Sequence, residues 1–160
     1  MKILNNGITY FLLASLDWKK YVPLVACRMI KMSVEHGYSS DSAFGLSGYS
    51  ASVISVMHDI EDGYRWGKIA LTLLESFDAR EMLPRMKLAF YSFLAFWVEP
   101  IQSGTSVQLD NYQDALVVGD IESGMLIVLN CCAQRIMSGF SLYEVDTYCA
   151  AFSNKMVCMH

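Results

Sequence analysis

Residues 58–77 read HDIEDGYRWGKIALTLLESF, and this stretch decides how the rest of the chain is read. Its polar residues Glu61, Arg65, Lys68, Thr72 and Glu75 recur in steps of four, three, four and three, one stripe on a helix of 3.6 residues per turn. Glu61 and Arg65 are spaced for an i, i+4 ion pair. The small residues Gly63, Gly67 and Ala70, continued by Leu74, form a second stripe. Trp66, Ile69, Leu73 and Phe77 form a third, bulky one. A glycine inside a helix costs about 0.5–1 kcal/mol relative to alanine. Two on one row therefore imply a compensating gain, and close approach of neighbouring helices is the obvious one. These seven residues, Gly63, Gly67, Ala70, Trp66, Ile69, Leu73 and Phe77, are the expected structural core of a helix wedged between two others.

The start of the stretch admits another reading. His58, Asp59 and Asp62 could belong to a metal site of the kind used by small all-helical hydrolases. Such a site needs further His and Asp ligands, and the only other histidines are His36 and His160. The preferred reading makes His58 a turn residue, Asp59 an N-cap and Asp62 a partner of the helix dipole.

The remainder of the chain repeats the helical pattern. Period-two alternation and Asn-Gly or Asp-Gly hairpin signals between β-branched runs are absent. Turn signals divide the sequence into helices over 2–15, 18–36 (with Asp17 as N-cap, Pro23 near the first turn and Gly37 past the end), 41–57, 60–77, 79–98, 101–118, 121–138 and 142 onward. Asp78 with Glu81, and Ser141 with Glu144, have capping-box spacing. Short links between helices force antiparallel neighbours. Helix pairs begin near Ser40, Ala79 and Asp120, a period of about 40 residues, the mark of a helical-hairpin array. Residues 42–58 and 123–139 match in small residues and apolar spacing. The expected fold is all-α: antiparallel hairpins stacked as a tetratricopeptide-like right-handed superhelix in one domain, 1–160, with a globular helix bundle as the alternative.

Composition excludes several function classes. The chain has 160 residues, 54% hydrophobic and 18% charged, with a net charge of −4. It is too apolar for disorder. Its longest uncharged stretch, Ser42 to Met57, has sixteen residues with five serines and two glycines, short of a membrane span. The N-terminus lacks a long apolar run followed by a small-residue cleavage site, so a secretory signal is not expected. Scattered Lys and Arg argue against nucleic acid. Cys27, Cys131, Cys132, Cys149 and Cys158 follow no zinc spacing and read as reduced cytoplasmic thiols, mostly core. Cys131 and Cys132 point about 100° apart on a helix, which argues against a redox pair between them. No phosphate loop, HExxH, GxSxG or CxxC is present, so no catalytic residue, cofactor or metal is assigned. The aromatic residues Trp18, Trp66, Trp97, Tyr64 and Tyr91 could line a groove but read rather as inter-helix core.

The stretches LVACRMIKMSVEHGYSSDSAFGLSGYSASV (24–53), DIEDGYRWGKIALTLLESF (59–77), FWVEPIQ (96–102) and DNYQDALVVGDIESGMLIVLNCCAQRIMSG (110–139) carry a family likeness. In order and spacing they resemble the tetratricopeptide-like helical region of large signalling proteins. In those proteins a serine/threonine kinase and an AAA-type ATPase domain precede the helices, and GAF and histidine-kinase domains follow. The strict tetratricopeptide consensus positions are mostly missing. The resemblance implies a non-catalytic interaction or regulatory scaffold, a fragment of a signal-transduction ATPase/kinase. It transfers no active-site residue. Its expected partners are adjoining domains of a parent protein or a peptide or protein ligand, with self-association through exposed ends.

Overall fold

The computed structural model describes residues 18–157. Among them are seven α-helices and no strand: α1 Trp18–His36, α2 Ser40–Ser52, α3 Ile60–Ser76, α4 Leu83–Phe93, α5 Ile101–Val118, α6 Ile121–Met137 and α7 Leu142–Val157. A π-helical turn, Val53–Met57, prolongs α2, and a 3-10 turn, Ala95–Trp97, follows α4. The helix expected over 2–15 and the N-cap expected at Asp17 lie outside the described residues.

Local chemistry sets most helix ends. Gly37, Gly119 and Gly139 take positive φ values of 94°, 78° and 78° just beyond α1, α5 and α6, where a side chain would be strained. Asp59 caps α3 by accepting the amide of Asp62 at 3.0 Å, and Asp120 caps α6 by accepting that of Ser123 at 3.1 Å. At α7 the Ser141 amide donates to Glu144 Oε2 at 3.0 Å while the Glu144 amide donates to Ser141 Oγ at 3.3 Å, a reciprocal capping box. Pro23 sits inside α1, beyond its first turn.

The region 78–98 departs from expectation. Asp78 does not cap a helix; it adopts φ +49° and pairs with Arg80 across 2.9 Å in a turn. The next helix begins only at Leu83, which places Pro84 in its first turn, where the missing amide is not needed. That helix also ends early. At Leu94 the backbone leaves helical geometry (φ −120°, ψ −51°). Leu94 and Ala95 are thereby buried, while Phe96, Trp97 and Val98 face outward. A helix continued to Val98 could not turn those neighbours in opposite senses as sharply.

Each helix packs on the next in the chain, and α4 additionally packs on α2 and α6. Buried side chains follow the same order. Ala26, Met29, Ala43, Phe44, Leu74, Ala79 and Met86 join α1 to α4. Ala51, Ile54, Phe90, Leu94 and Ala95 join α2 to the end of α4. Tyr112, Ala115, Ile127, Val128, Cys131 and Phe152 join α5, α6 and α7. Ser33 Oγ donates to Ser42 Oγ at 2.8 Å, linking α1 to the start of α2. Within the core, the buried Asn111 donates to the Pro84 carbonyl at 3.0 Å and ties α5 to the first turn of α4.

In α3 the buried residues are Gly63, Gly67, Ala70 and Leu74. A Cβ on Gly67 would lie 2.8 Å from Leu94 Cδ1 and 2.9 Å from Phe90 Cε2; one on Gly63 would meet Ile54 Cγ1 and, at 3.0 Å, the Ser50 carbonyl oxygen. The small row thus lets α2 and α4 close on α3 from two sides. The bulky row is displaced to the margins: Ile69 and Phe77 are 41% and 42% exposed. Trp66 packs edge-on to Tyr49 with ring centres 5.7 Å apart, and Leu73 borders the first core cluster. Glu61, Arg65, Lys68, Thr72 and Glu75 are all exposed. Arg65 pairs with Asp62 at 3.2 Å, however, and not with the expected Glu61.

Candidate functional site

His58, Asp59 and Asp62 do not converge. His58 ends the π turn in a left-handed conformation (φ 60°, ψ 22°) with its side chain exposed. Asp59 is committed to its cap, and Asp62 accepts from Trp66 Nε1 at 3.1 Å as well as from Arg65. Among the described residues, no group of three or more His, Cys, Asp and Glu side chains could hold a metal ion.

A different polar cluster is assembled by packing. Tyr64 and Lys68 lie one turn apart on α3 and face Glu99 in the link between α4 and α5. The Tyr64 hydroxyl donates to Glu99 Oε1, and Lys68 Nζ stands 3.4 Å from the same oxygen. Lys68 Nζ also lies 5.3 Å from the centres of both the Tyr64 and Phe90 rings, a cation over two π faces. Burial, then the bond to Glu99, raises the Tyr64 pKa, so the phenol stays protonated. Burial alone would lower that of Lys68, but Tyr64 and Glu99 outweigh it and the net shift is upward. A protonated lysine held by a carboxylate and a neutral phenol is a poor proton acceptor at neutral pH. The cluster is suited to holding α3 against the α4–α5 link, and its remaining donors face solvent.

Beside it lies a shallow cleft of about 170 Å³, lined by Tyr91, Ala95, Phe96, Glu99, Pro100, Ile101, Gly104 and Gln134. Sites that enclose small molecules typically occupy about 300–1,000 Å³, so the cleft is too small to bury one. Gln134 Nε2 donates to the Tyr91 carbonyl at 3.4 Å, which joins α6 to α4 along this floor. Glu99, Lys68 and Gln134 come from three of the stretches that carry the sequence resemblance. Their separation along the chain leaves no local pattern by which their meeting could be foreseen.

The aromatic residues divide. Tyr64 and Tyr91 flank Phe90 at ring distances of 5.6 and 5.2 Å, as inter-helix core. Trp97 does not; it is 52% exposed and stacks on Phe96 at 5.0 Å. The side chain of Trp18 lies outside the described residues.

An apolar face also remains open on α6. Ile121, Met125, Leu129 and Ile136 are exposed at spacings of four, four and seven, beside the buried row Gly124, Ile127, Val128 and Cys131. No described helix is long and apolar enough to cross a membrane.

Comparison of the chain with protein-family models, with curated proteins and with solved structures finds no match.

Proposed function

We propose that the chain is a non-catalytic interaction and regulatory scaffold, a tetratricopeptide-like right-handed stack of helical hairpins that works as a segment of a larger cytoplasmic signal-transduction ATPase/kinase. The observation that carries this reading is the order of packing. Helices meet their chain neighbours, α4 bridges to α2 and α6, and the buried clusters succeed one another along the chain. In a repeat array each unit buries its apolar face on the next, and the surface left over serves recognition.

The exposed face of α6 supports the same reading, because Ile121, Met125 and Leu129, each one turn apart, form an apolar patch that suits a partner. The parent-protein assignment rests on the sequence resemblance alone. Of the described cysteines only Cys131 is buried and Cys27 is exposed, against the expected core placement; all four are free thiols, as a reducing compartment would keep them.

Sedimentation velocity of the purified chain over a range of concentrations tests the exposed-surface part of this proposal. The expected result is concentration-dependent association that Leu129→Glu weakens. A single monomeric species at the highest concentration, for the unsubstituted chain, would remove that support. Metal analysis tests the non-catalytic part: stoichiometric metal that His58→Ala removes would overturn it.

A further inference from the structure

We propose that Cys132 and Cys149 are a reversible oxidation site, a dithiol that a hydroperoxide converts to a disulfide latching α7 onto α6. The pairing follows from helix rotation. Cys131 points into the α5–α6–α7 core and is fully buried. Cys132, about 100° further round the helix, faces the last helix instead. There the Cys149 thiol donates to Cys132 Sγ at 2.8 Å. Less than about 1 Å of movement separates the two sulfurs from the bonded distance of roughly 2.05 Å. Both side chains are half-buried, so a small oxidant can reach them while a second protein chain is hindered. Cys131 is sealed in the core, and Cys27 lies apart on α1.

What the bond would hold is also defined. The main packing of α7 is on α6, supplemented by the edge contact of Phe152 with Tyr112 at 5.3 Å. Its first turn leaves Leu142 and Tyr143 largely exposed. A helix with one principal neighbour among the described residues opens at low free energy. A covalent tie between α6 and α7 raises that cost by confining the opened ensemble.

The chemistry balances as a two-electron oxidation. Burial, then the neighbouring Cys149 thiol, pushes the Cys132 pKa up to about 12, which disfavours the Cys132 thiolate. The Cys149 thiolate attacks one peroxide oxygen. An S–O bond forms, the O–O bond breaks, and the departing oxygen leaves as water or alcohol with the thiol proton. Cys132 sulfur then attacks the Cys149 sulfenic acid. The S–S bond forms, the S–O bond breaks, and hydroxide leaves as water with the Cys132 proton. The thiols lose two electrons and two protons, and the hydroperoxide is reduced. A small thiol reverses the bond by exchange.

The test is peroxide treatment of the folded full chain, followed by alkylation and non-reducing mass mapping. The expected product is an intramolecular Cys132–Cys149 peptide pair, with the chain lighter by two hydrogens before alkylation, restored by dithiothreitol. Cys131→Ser should still form it; Cys132→Ser and Cys149→Ser should not. Hydrogen exchange of α7 amides in the unsubstituted chain should slow several-fold on oxidation. A sulfinic acid without a cross-link, a bond to Cys131, a bond between two chains, or unchanged α7 exchange would each overturn the proposal.

Discussion

Ser50 in α2 donates its hydroxyl to the main-chain carbonyl of Gly63 in α3 at 2.5 Å. A side chain at position 63 would occupy the space between the two helices, since its Cβ would meet Ile54. The missing side chain and the inter-helix hydrogen bond are therefore one feature. The backbone of α3 comes near enough to be bonded by a serine only because glycine stands there.

This sets the sign of two alanine substitutions. Gly63→Ala should destabilise by up to about 2 kcal/mol net, because overpacking costs roughly 1–3 kcal/mol against a helix gain of about 1. Gly67→Leu should cost more than its propensity gain for the same reason, against Phe90 and Leu94. Gly124→Ala should do the opposite. Its nearest neighbours are 3.7 Å from the added Cβ, an ordinary contact, so up to about 1 kcal/mol of helix propensity is gained. Denaturant midpoints at constant slope measure all three. A raised midpoint for Gly63→Ala or Gly67→Leu would count against the wedged helix.

The Tyr64–Lys68–Glu99 cluster ranks its own members. Tyr64→Phe removes a partly buried hydrogen bond to a carboxylate and should cost about 1–2 kcal/mol. Lys68→Met should cost less. Lys68 is 48% exposed and Glu99 27%, so solvent screening holds that ion pair to roughly 0.2–1 kcal/mol. A larger loss for Lys68→Met than for Tyr64→Phe, read by chemical denaturation, would mean that the ion pair and not the phenol holds α3 to the α4–α5 link.

The capping box of α7 gives a pH dependence of fixed sign. The Glu144 carboxylate is held below its ordinary value of 4.5, first by the Ser141 hydroxyl and then by the Ser141 amide. A depressed folded-state value means the stabilisation is complete above pH 4.5 and is lost as the pH falls through the folded value. Amide exchange in the first turn of α7, corrected for intrinsic rates, should show protection falling on that acid limb. Glu144→Gln should flatten the response. An unaltered profile in the variant would show that Glu144 is not the titrating group.

The parts of the fold legible in sequence are those decided within a few residues. Gly37, Gly119 and Gly139 end helices because only glycine enters the left-handed region freely, and Asp59, Asp120 and Ser141 start them because their oxygens reach the free amides. The row Gly63, Gly67, Ala70 shows itself by spacing. What was illegible is decided across space. Asp78 and Glu81 have capping-box spacing, yet the helix starts four residues later. The break at Leu94 serves the burial of Leu94 and Ala95, which no local signal announces. Glu99 is 31 residues from Lys68 by number, and the Cys132–Cys149 contact depends on how α6 is rotated against α7. For the same reason Trp97 could not be told from a core tryptophan.

The central claim, a stack whose units depend mainly on their neighbours, is tested most directly by hydrogen exchange of Ile127→Ala in the full chain. Ile127 is fully buried in the α5–α6–α7 cluster, and truncating it should cost about 2–5 kcal/mol there. The expected result is lost protection across α5, α6 and α7 with α1, α2 and α3 close to the unsubstituted chain. An equal fall in protection from α1 to α7 would contradict the account and leave a single cooperative bundle.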